Sequence, residues 1–553
     1  MTMTTMTTKT MDRVAMSLAG MVAVLACAAA SRAQVGIVEP ERPRDALREL
    51  QSEAVRSFDL DLERSYSFGW HGLSGRFSTH QTHSNRPVPA VLFGSKLSLT
   101  TISGDKSPYR DPTKLAAIYG ATPPRSVDPR QVYGDQTQLH TLLLEAADQK
   151  VKRIVVLLLD GADWQVYAAA AIASGRKYDP KGYEHELDFF RFLPPGHTAT
   201  RPLRSVASVI TSPLGQGVAP GFDIDRGGQY PWSRQDAPYL AGNYKLGFDA
   251  RVVHAVTDSA SSATSIATGR KTLNGRIAMD RAGQPLQPLG RVLQQRGYVV
   301  ATVTDAPFPH ASPASFYASA NARSEYEEIG RQMLGLGAYP GVDIVLGYGS
   351  GYVRADQTRY LALADLAAVK SSGKYEVVTG DDADPIASLV HAAQRVAAAR
   401  SRNVVGPTRL FGFFGDKSLD HAPYRTADGR YDPTLELAAT GLPTAGERYT
   451  AATLSRMPSL QAMTLAAIEV IDATPEQPAL LFVEAGLVDW ALHANNLDNA
   501  VGEVLSAERS FFLLRDWITK SVGWDDAVLL VTSDHGHLLQ VDIQAFEKAV
   551  TKR

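Results

Sequence analysis

The stretch 153-RIVVLLLDG-161 carries six consecutive apolar residues and then Asp-Gly. A strand with one wet face alternates polar and apolar residues, whereas an unbroken apolar run marks a strand covered on both faces, as in a parallel sheet. Three further segments read the same way: 298-YVVATVT-304, 479-ALLFVEA-485 and 527-AVLLVTS-533. Helical patterns lie between them, for example 290-GRVLQQRG-297 and residues 498–520. Strand and helix in alternation predict an α/β fold: a doubly wound, mostly parallel central sheet with helices on both faces. Polar, Pro- and Gly-rich stretches near 176–250 and 415–450 read as surface insertions.

The central strands end in residues able to hold a metal ion. Leu159 is followed by Asp160, Val483 by Glu484, and Ser533 by Asp534-His535. In a doubly wound sheet the active crevice lies at the carboxyl ends of the strands. Three carboxylates and a histidine delivered there are hard to explain as packing. Asp489 and His493 follow in 486-GLVDWALHANN-496, four apart and therefore on one helical face. In 256-VTDSASSATSIATG-269, small residues surround Asp258-Ser259 before a helix begins. A serine at a helix N-terminus sits where backbone N–H groups favour a bound phosphate, and a nearby dication would activate its hydroxyl.

Together these segments resemble the alkaline phosphatase family. Val256 to Thr264 fits the family's nucleophile signature, and Thr268-Gly269-Arg270-Lys271-Thr272-Leu273-Asn274-Gly275 continues it. His310-Ala311-Ser312-Pro313-Ala314 is similar to the segment bearing a magnesium ligand, and Arg323 stands at the spacing of the phosphate-binding arginine. Glu484 to His493 and Thr532 to His537 are similar to the remaining metal segments, so the resemblance spans roughly 150–540. It implies a metal-dependent hydrolase of small phosphate monoesters that works through a phosphoserine on Ser259, with Arg323 clamping the phosphate. It implies two Zn2+ and one Mg2+. Asp160, Asp534 and His535 would hold the second zinc beside Ser259, Asp489 and His493 the first zinc, and Asp160, Ser312 and Glu484 the magnesium. Hard oxygen donors suit magnesium, and His with Asp suits zinc. His310 and Trp490 fall at positions that vary in the family and shape these surroundings. His537 reads equally well as a partner of Asp489 or as a structural residue, and His421 as a loop histidine near the entrance.

The family's further histidine ligand to the first zinc, expected some tens of residues after the Asp-His pair, has no counterpart there. No histidine follows His537. Near the other end of the chain, 82-THSNRPVPAVLFGS-95 is similar to the family's His-Thr-Gly stretch with its Val-Pro strand. His83 is therefore the expected third ligand, and a circular permutation is inferred that has moved this strand to the front. His71 and His80 lack the Val-Pro strand at the right distance.

The 553 residues are 44% hydrophobic and 21% charged, with a net charge of −2, which excludes a mainly disordered chain and a polytopic membrane protein. Without a strong basic field, no nucleic acid is expected as a specific partner. Lys9 and Arg13, the apolar run Val14 to Ala30, and Ser31-Arg32-Ala33 have the layout of a signal peptide over 1–33. A periplasmic or secreted protein with no membrane span in the mature chain follows. Val24-Leu25-Ala26-Cys27 loosely resembles a lipoprotein cut site, which would give a lipid-anchored form. Cys27 is the sole cysteine, so no thiolate serves a metal site. The expected organisation is 1–33 signal, 34–150 an N-terminal segment of which 82–95 completes the catalytic domain, and 151–553 the catalytic domain. Oligomeric state stays open. A phosphodiesterase of the same superfamily and a non-catalytic exported metal- or phosphate-binding protein compete. Ser259 with Glu484 and Ser312 argues against the first, and a complete first zinc site against the second.

Overall fold

The computed structural model describes residues 45–57, 83–177, 187–195, 202–210, 218–222, 253–402, 405–437, 443–537, 539, 541 and 543–551. The expected signal peptide, Cys27, His71, His80 and most of 176–250 lie outside the described residues.

Ten strands form the central sheet. In spatial order they are Tyr375–Thr379, Arg409–Phe413, Ile344–Tyr348, Val299–Pro307, Ala479–Ala485, Arg153–Leu159, Ala527–Ser533, Val88–Phe93, Leu203–Val206 and Gly134–Asp135. The first seven are mutually parallel. Val88–Phe93 runs antiparallel to both of its neighbours. The four strands read from the sequence occupy the centre, and every residue of Arg153–Leu159, Ala479–Ala485 and Ala527–Ser533 is buried. The strand expected at 298–304 runs on to Pro307.

Alternate side chains of one strand feed two cores. Val155, Leu157 and Leu159 pack with Val166, Ala392, Met463, Val504 and Phe511, from helices Trp164–Ala173, Pro385–Arg402, Leu460–Asp472 and Leu497–Trp517. Ile154, Val156 and Leu158 face Leu139, Leu142, Ile266 and Leu293, from helices Gln136–Asp148, Ser259–Thr268 and Leu289–Gln295. Two apolar layers explain why the polar ligands can emerge only at strand ends.

The stretch 415–450 is tied to the body of the protein. Asp420, His421, Thr426 and Thr434 are buried. Thr434 Oγ1 donates to Asp498 Oδ2 at 2.6 Å, at the start of helix Leu497–Trp517. The N-terminal helix Ala46–Ser57 docks on the same place, where Gln51 Nε2 donates to Leu435 O (2.8 Å) and Gln51 Oε1 accepts from Asp498 N (3.0 Å). No helix among the described residues is long and apolar enough to cross a membrane.

Candidate active site

Register brings the strand ends together. Glu484 pairs with Leu158 and Ser533 with Leu159, so Asp160, Glu484 and Asp534 reach one edge of the sheet. All three are fully buried. Asp534 Oδ1 accepts from the backbone N–H of Gly161 (3.1 Å) and of His535 (2.9 Å), and Oδ2 accepts from Ser262 Oγ (2.9 Å).

Ser259 is the first residue of helix Ser259–Thr268, and Asp258 caps that helix in a reciprocal box with Ser261. The capped turn fixes the Ser259 hydroxyl 3.2 Å from Asp160 Oδ1 and 3.2 Å from His535 Nε2. Asp258 Oδ2 accepts from Gly275 N (2.9 Å) and faces Arg323 Nη1 (3.2 Å), so the cap also aims the arginine. Arg323 and the backbone bonds of Ser261 outweigh burial and hold the Asp258 carboxyl below its ordinary range. The other end of the Arg323 guanidinium lies 3.2 Å from His310 Nε2. Burial and this guanidinium push the His310 imidazole down to about 3, leaving it neutral.

Three donor atoms from distant parts of the chain form a triangle beside Ser259. His83 Nε2 lies 3.0 Å from His493 Nε2 and 3.5 Å from Asp489 Oδ1, and His493 Nε2 lies 3.4 Å from Asp489 Oδ1. Donors about 2.0–2.1 Å from a tetrahedral zinc would stand about 3.3 Å apart. His83 Nδ1 donates to Thr257 O at 3.0 Å, which leaves the Nε2 lone pair facing into the triangle. His537 Nε2 lies 2.6 Å from Asp489 Oδ1 and orients that carboxylate. Burial alone would raise the Asp489 carboxyl, but His493, His537 and His83 hold it well below the usual range. The donor set fits zinc.

A second cluster is built of oxygen. Asp160 Oδ2, Ser312 Oγ and Glu484 Oε1 are buried, Ser312 faces Glu484, and among the described residues none of the three atoms has a partner in good hydrogen-bond geometry. Orphaned buried carboxylate oxygens are costly unless something else satisfies them. Burial pushes Glu484 up to about 7, and burial with Asp534, Asp489 and Glu484 pushes Asp160 well up. A hard dication such as magnesium fits these donors. His310 comes within reach of the same cluster: with Asp160 and Glu484 it offers atoms within 4.8 Å of one another.

The structure brings Asp160, Ser259, Asp489, His493, Asp534, His535 and His83 together at this edge of the sheet, with Ser312, Arg323 and Glu484 beside them, while His71 and His80 lie outside the described residues. Three contributors carried no sequence signal. Thr304 Oγ1 donates to Glu484 Oε2 at 2.5 Å. Ser262 supports Asp534, and Gln136 Nε2 donates to the Asp534 carbonyl. The role of Asp258 was legible in principle, since Asp-x-x-Ser ahead of a helix is a capping pattern. His421 is more deeply buried than a loop residue at an entrance would be. Its ring packs edge-on to Trp490 (5.3 Å between centroids), and Nε2 lies 3.3 Å from Glu447.

A capped serine thus faces sets of metal-competent donors at the carboxyl edge of a mostly parallel sheet. The alkaline phosphatase family model matches residues 232–549, which include Ser259, Ser312, Arg323, Glu484, Asp489, His493, Asp534 and His535. The chain belongs to the alkaline phosphatase family. It is similar to streptomycin-6-phosphate phosphatase of Streptomyces griseus, 28% identical over 378 residues, 63% of this chain and 78% of that protein. It is also similar to alkaline phosphatase 4 of Bacillus subtilis, 25% identical over 51% of this chain and 49% of the relative. For alkaline phosphatase H of Pseudomonas aeruginosa the match is 27%, over 55% of this chain and 63% of the relative. The chain thus spans about half the length of the Bacillus protein. Among solved structures, Thermus thermophilus alkaline phosphatase matches with a TM-score of 0.43 and 25% identity, over 70% of this chain and 60% of that one.

Proposed function

We propose that the protein hydrolyses phosphate monoesters through a phosphoserine on Ser259 and releases inorganic phosphate. The observation that carries this is the position of the Ser259 hydroxyl, held by a helix cap 3.2 Å from both Asp160 and His535. Asp160, Asp534 and His535 would hold one zinc, and His83, Asp489 and His493 the other. Asp160, Ser312 and Glu484 would hold magnesium. Bound there, the ions would neutralise charge on the phosphoryl oxygens and lower the pKa of the Ser259 hydroxyl.

Ser259 Oγ attacks phosphorus as the ester P–O bond breaks, and the leaving alkoxide gains a proton to depart as an alcohol. Water then cleaves the phosphoserine, returning the Ser259 hydroxyl and phosphate. Arg323, fixed by Asp258, offers its planar fork to two phosphoryl oxygens.

The chain order reads as a circular permutation. His83–Ser84 pairs antiparallel with Gly536–His537, and Val88–Phe93 lies antiparallel beside Ala527–Ser533. A segment running on from the last parallel strand and turning back would occupy that place. Export and metal identity belong to the same proposal and come from the sequence and the donor types.

The test is zinc content measured together with turnover of a chromogenic phosphate monoester and diester, and trapping of a labelled phosphoenzyme. Zinc-dependent turnover favouring the monoester is expected, with the label on Ser259. In Ser259→Ala turnover should fall by several orders of magnitude, since covalent catalysis is lost, while metal content is kept. Label on another residue, or preference for the diester, would overturn the proposal.

A further inference from the structure

His83 reaches the site from a segment with little regular structure to hold it. Its strand is two residues long, and among the described residues its ladder is His83↔His537 and Ser84↔Gly536. Three residues on, Arg86 is buried, and its Nη1 makes an ion pair of 2.7 Å with Asp163 Oδ2; the two side chains are 4% and 2% exposed. Arg86 Nη2 also donates to the Leu539 carbonyl at 2.9 Å.

Both partners sit in loops that carry candidate ligands. Asp163 follows Asp160 by three positions and caps helix Trp164–Ala173, with Oδ1 accepting from Gln165 N at 2.9 Å. Leu539 follows His537 by two. The loops are pressed together at this point: a Cβ on Gly536 would meet Asp163 Cβ at 2.6 Å. One guanidinium therefore joins the segments bearing His83, Asp160 and His535.

We propose that Arg86, locked by Asp163, is the positioning residue that sets His83 against Asp489 and His493 and so fixes the affinity of the first zinc site. The inference rests on His83 being a ligand of that site. A guanidinium suits the task because its rigid fork can bond in two directions at once, which an ammonium on a flexible stem does poorly. Groups that orient metal ligands typically change metal affinity about 10–100-fold when altered.

The test titrates the metal-free protein with zinc against a chromogenic chelator, for wild type, Arg86→Lys, Asp163→Asn and His83→Gln. Arg86→Lys keeps the charge and loses the fork. Asp163→Asn keeps the helix-capping oxygen and loses the charge, so both should fold. Each should weaken the zinc site that holds His83 about 10–100-fold, and the site of Asp160 and His535 by less. Turnover at limiting zinc should fall and recover with excess zinc. Lower thermal stability with wild-type zinc affinity in both variants would make the pair merely structural and overturn the inference. His83→Gln separates the two levels. If it loses a zinc site while Arg86→Lys does not, the positioning role fails alone. If it binds zinc like wild type, the ligand assignment fails and takes this inference with it.

Discussion

The segment 83–148 and the body from 151 to 537 supply the same site by different physics. The body delivers candidate ligands on strand ends and helix starts, so each is announced by a local pattern: Asp160 after an apolar run, Asp489 and His493 at helical spacing, Ser259 behind a capping residue. The N-terminal segment follows this grammar only in part: Gln136 starts a helix behind its cap Asp135, but nothing local marks His83. It delivers His83 on a two-residue strand and a carboxamide from Gln136 onto the Asp534 carbonyl. It also buries Asp135 against Lys271, 3.3 Å apart with neither side chain exposed, in the loop that follows the nucleophile helix. Motifs mark where chemistry is done, and pairing across the fold decides whether the pieces meet.

The comparison breaks if the body alone suffices, and after Ser259→Ala the largest expected effect on turnover lies within it. Glu484→Gln should remove magnesium and leave zinc in place, because among the candidate metal-ligating carboxylates Glu484 would serve only the oxygen cluster. Turnover should fall about 10–100-fold and recover in part with added magnesium. Metal analysis by mass spectrometry checks this, and stoichiometric loss of zinc would put Glu484 in the other site.

Next comes the seam between the two regions. Asp135 Oδ2 accepts from the Tyr109 and Tyr119 hydroxyls at 2.8 and 3.2 Å as well as facing Lys271. Lys271→Met leaves that carboxylate buried without its cation and should destabilise the protein by about 3–5 kcal/mol. Adding Asp135→Asn should restore part of the loss. Equal denaturation midpoints for wild type and Lys271→Met would show that the segment is not integral to the fold.

A further effect concerns the seat of the helix Ala46–Ser57. Burial, with Asp45 nearby, pushes the Asp498 carboxyl up to about 8. An unfolded aspartate titrates near about 3.9. Because the folded value is the higher, the neutral carboxyl's contribution is full below about pH 4 and is lost as pH rises through the folded value. Asp498→Asn should therefore gain stability relative to wild type as pH rises from 5 to 9. A melting-temperature difference that stays flat across that range would contradict this.

Much of the fold was legible because parallel central strands must be apolar on both faces, and residues 154–159, 479–483 and 527–531 obey that rule without interruption. His83 was legible only through its likeness to a family segment, since a lone histidine in Thr-His-Ser-Asn-Arg has no local meaning. Thr304, Ser262, Gln136 and Arg86 were not legible as supports. Each acts on a group brought near by the sheet, and nothing in the flanking sequence encodes that partner. The depth of His421 escaped for the same reason, because Trp490 and Glu447 cover it from elsewhere in the chain.

The central claim is that residues from the front of the chain complete a site whose other ligands lie near its end. Anomalous diffraction at the zinc edge from crystals of the zinc-loaded protein tests it most directly. The account predicts two zinc peaks, one of them about 2.0–2.1 Å from both His83 Nε2 and His493 Nε2. A first-site zinc bound by Asp489 and His493 with His83 turned away would contradict it.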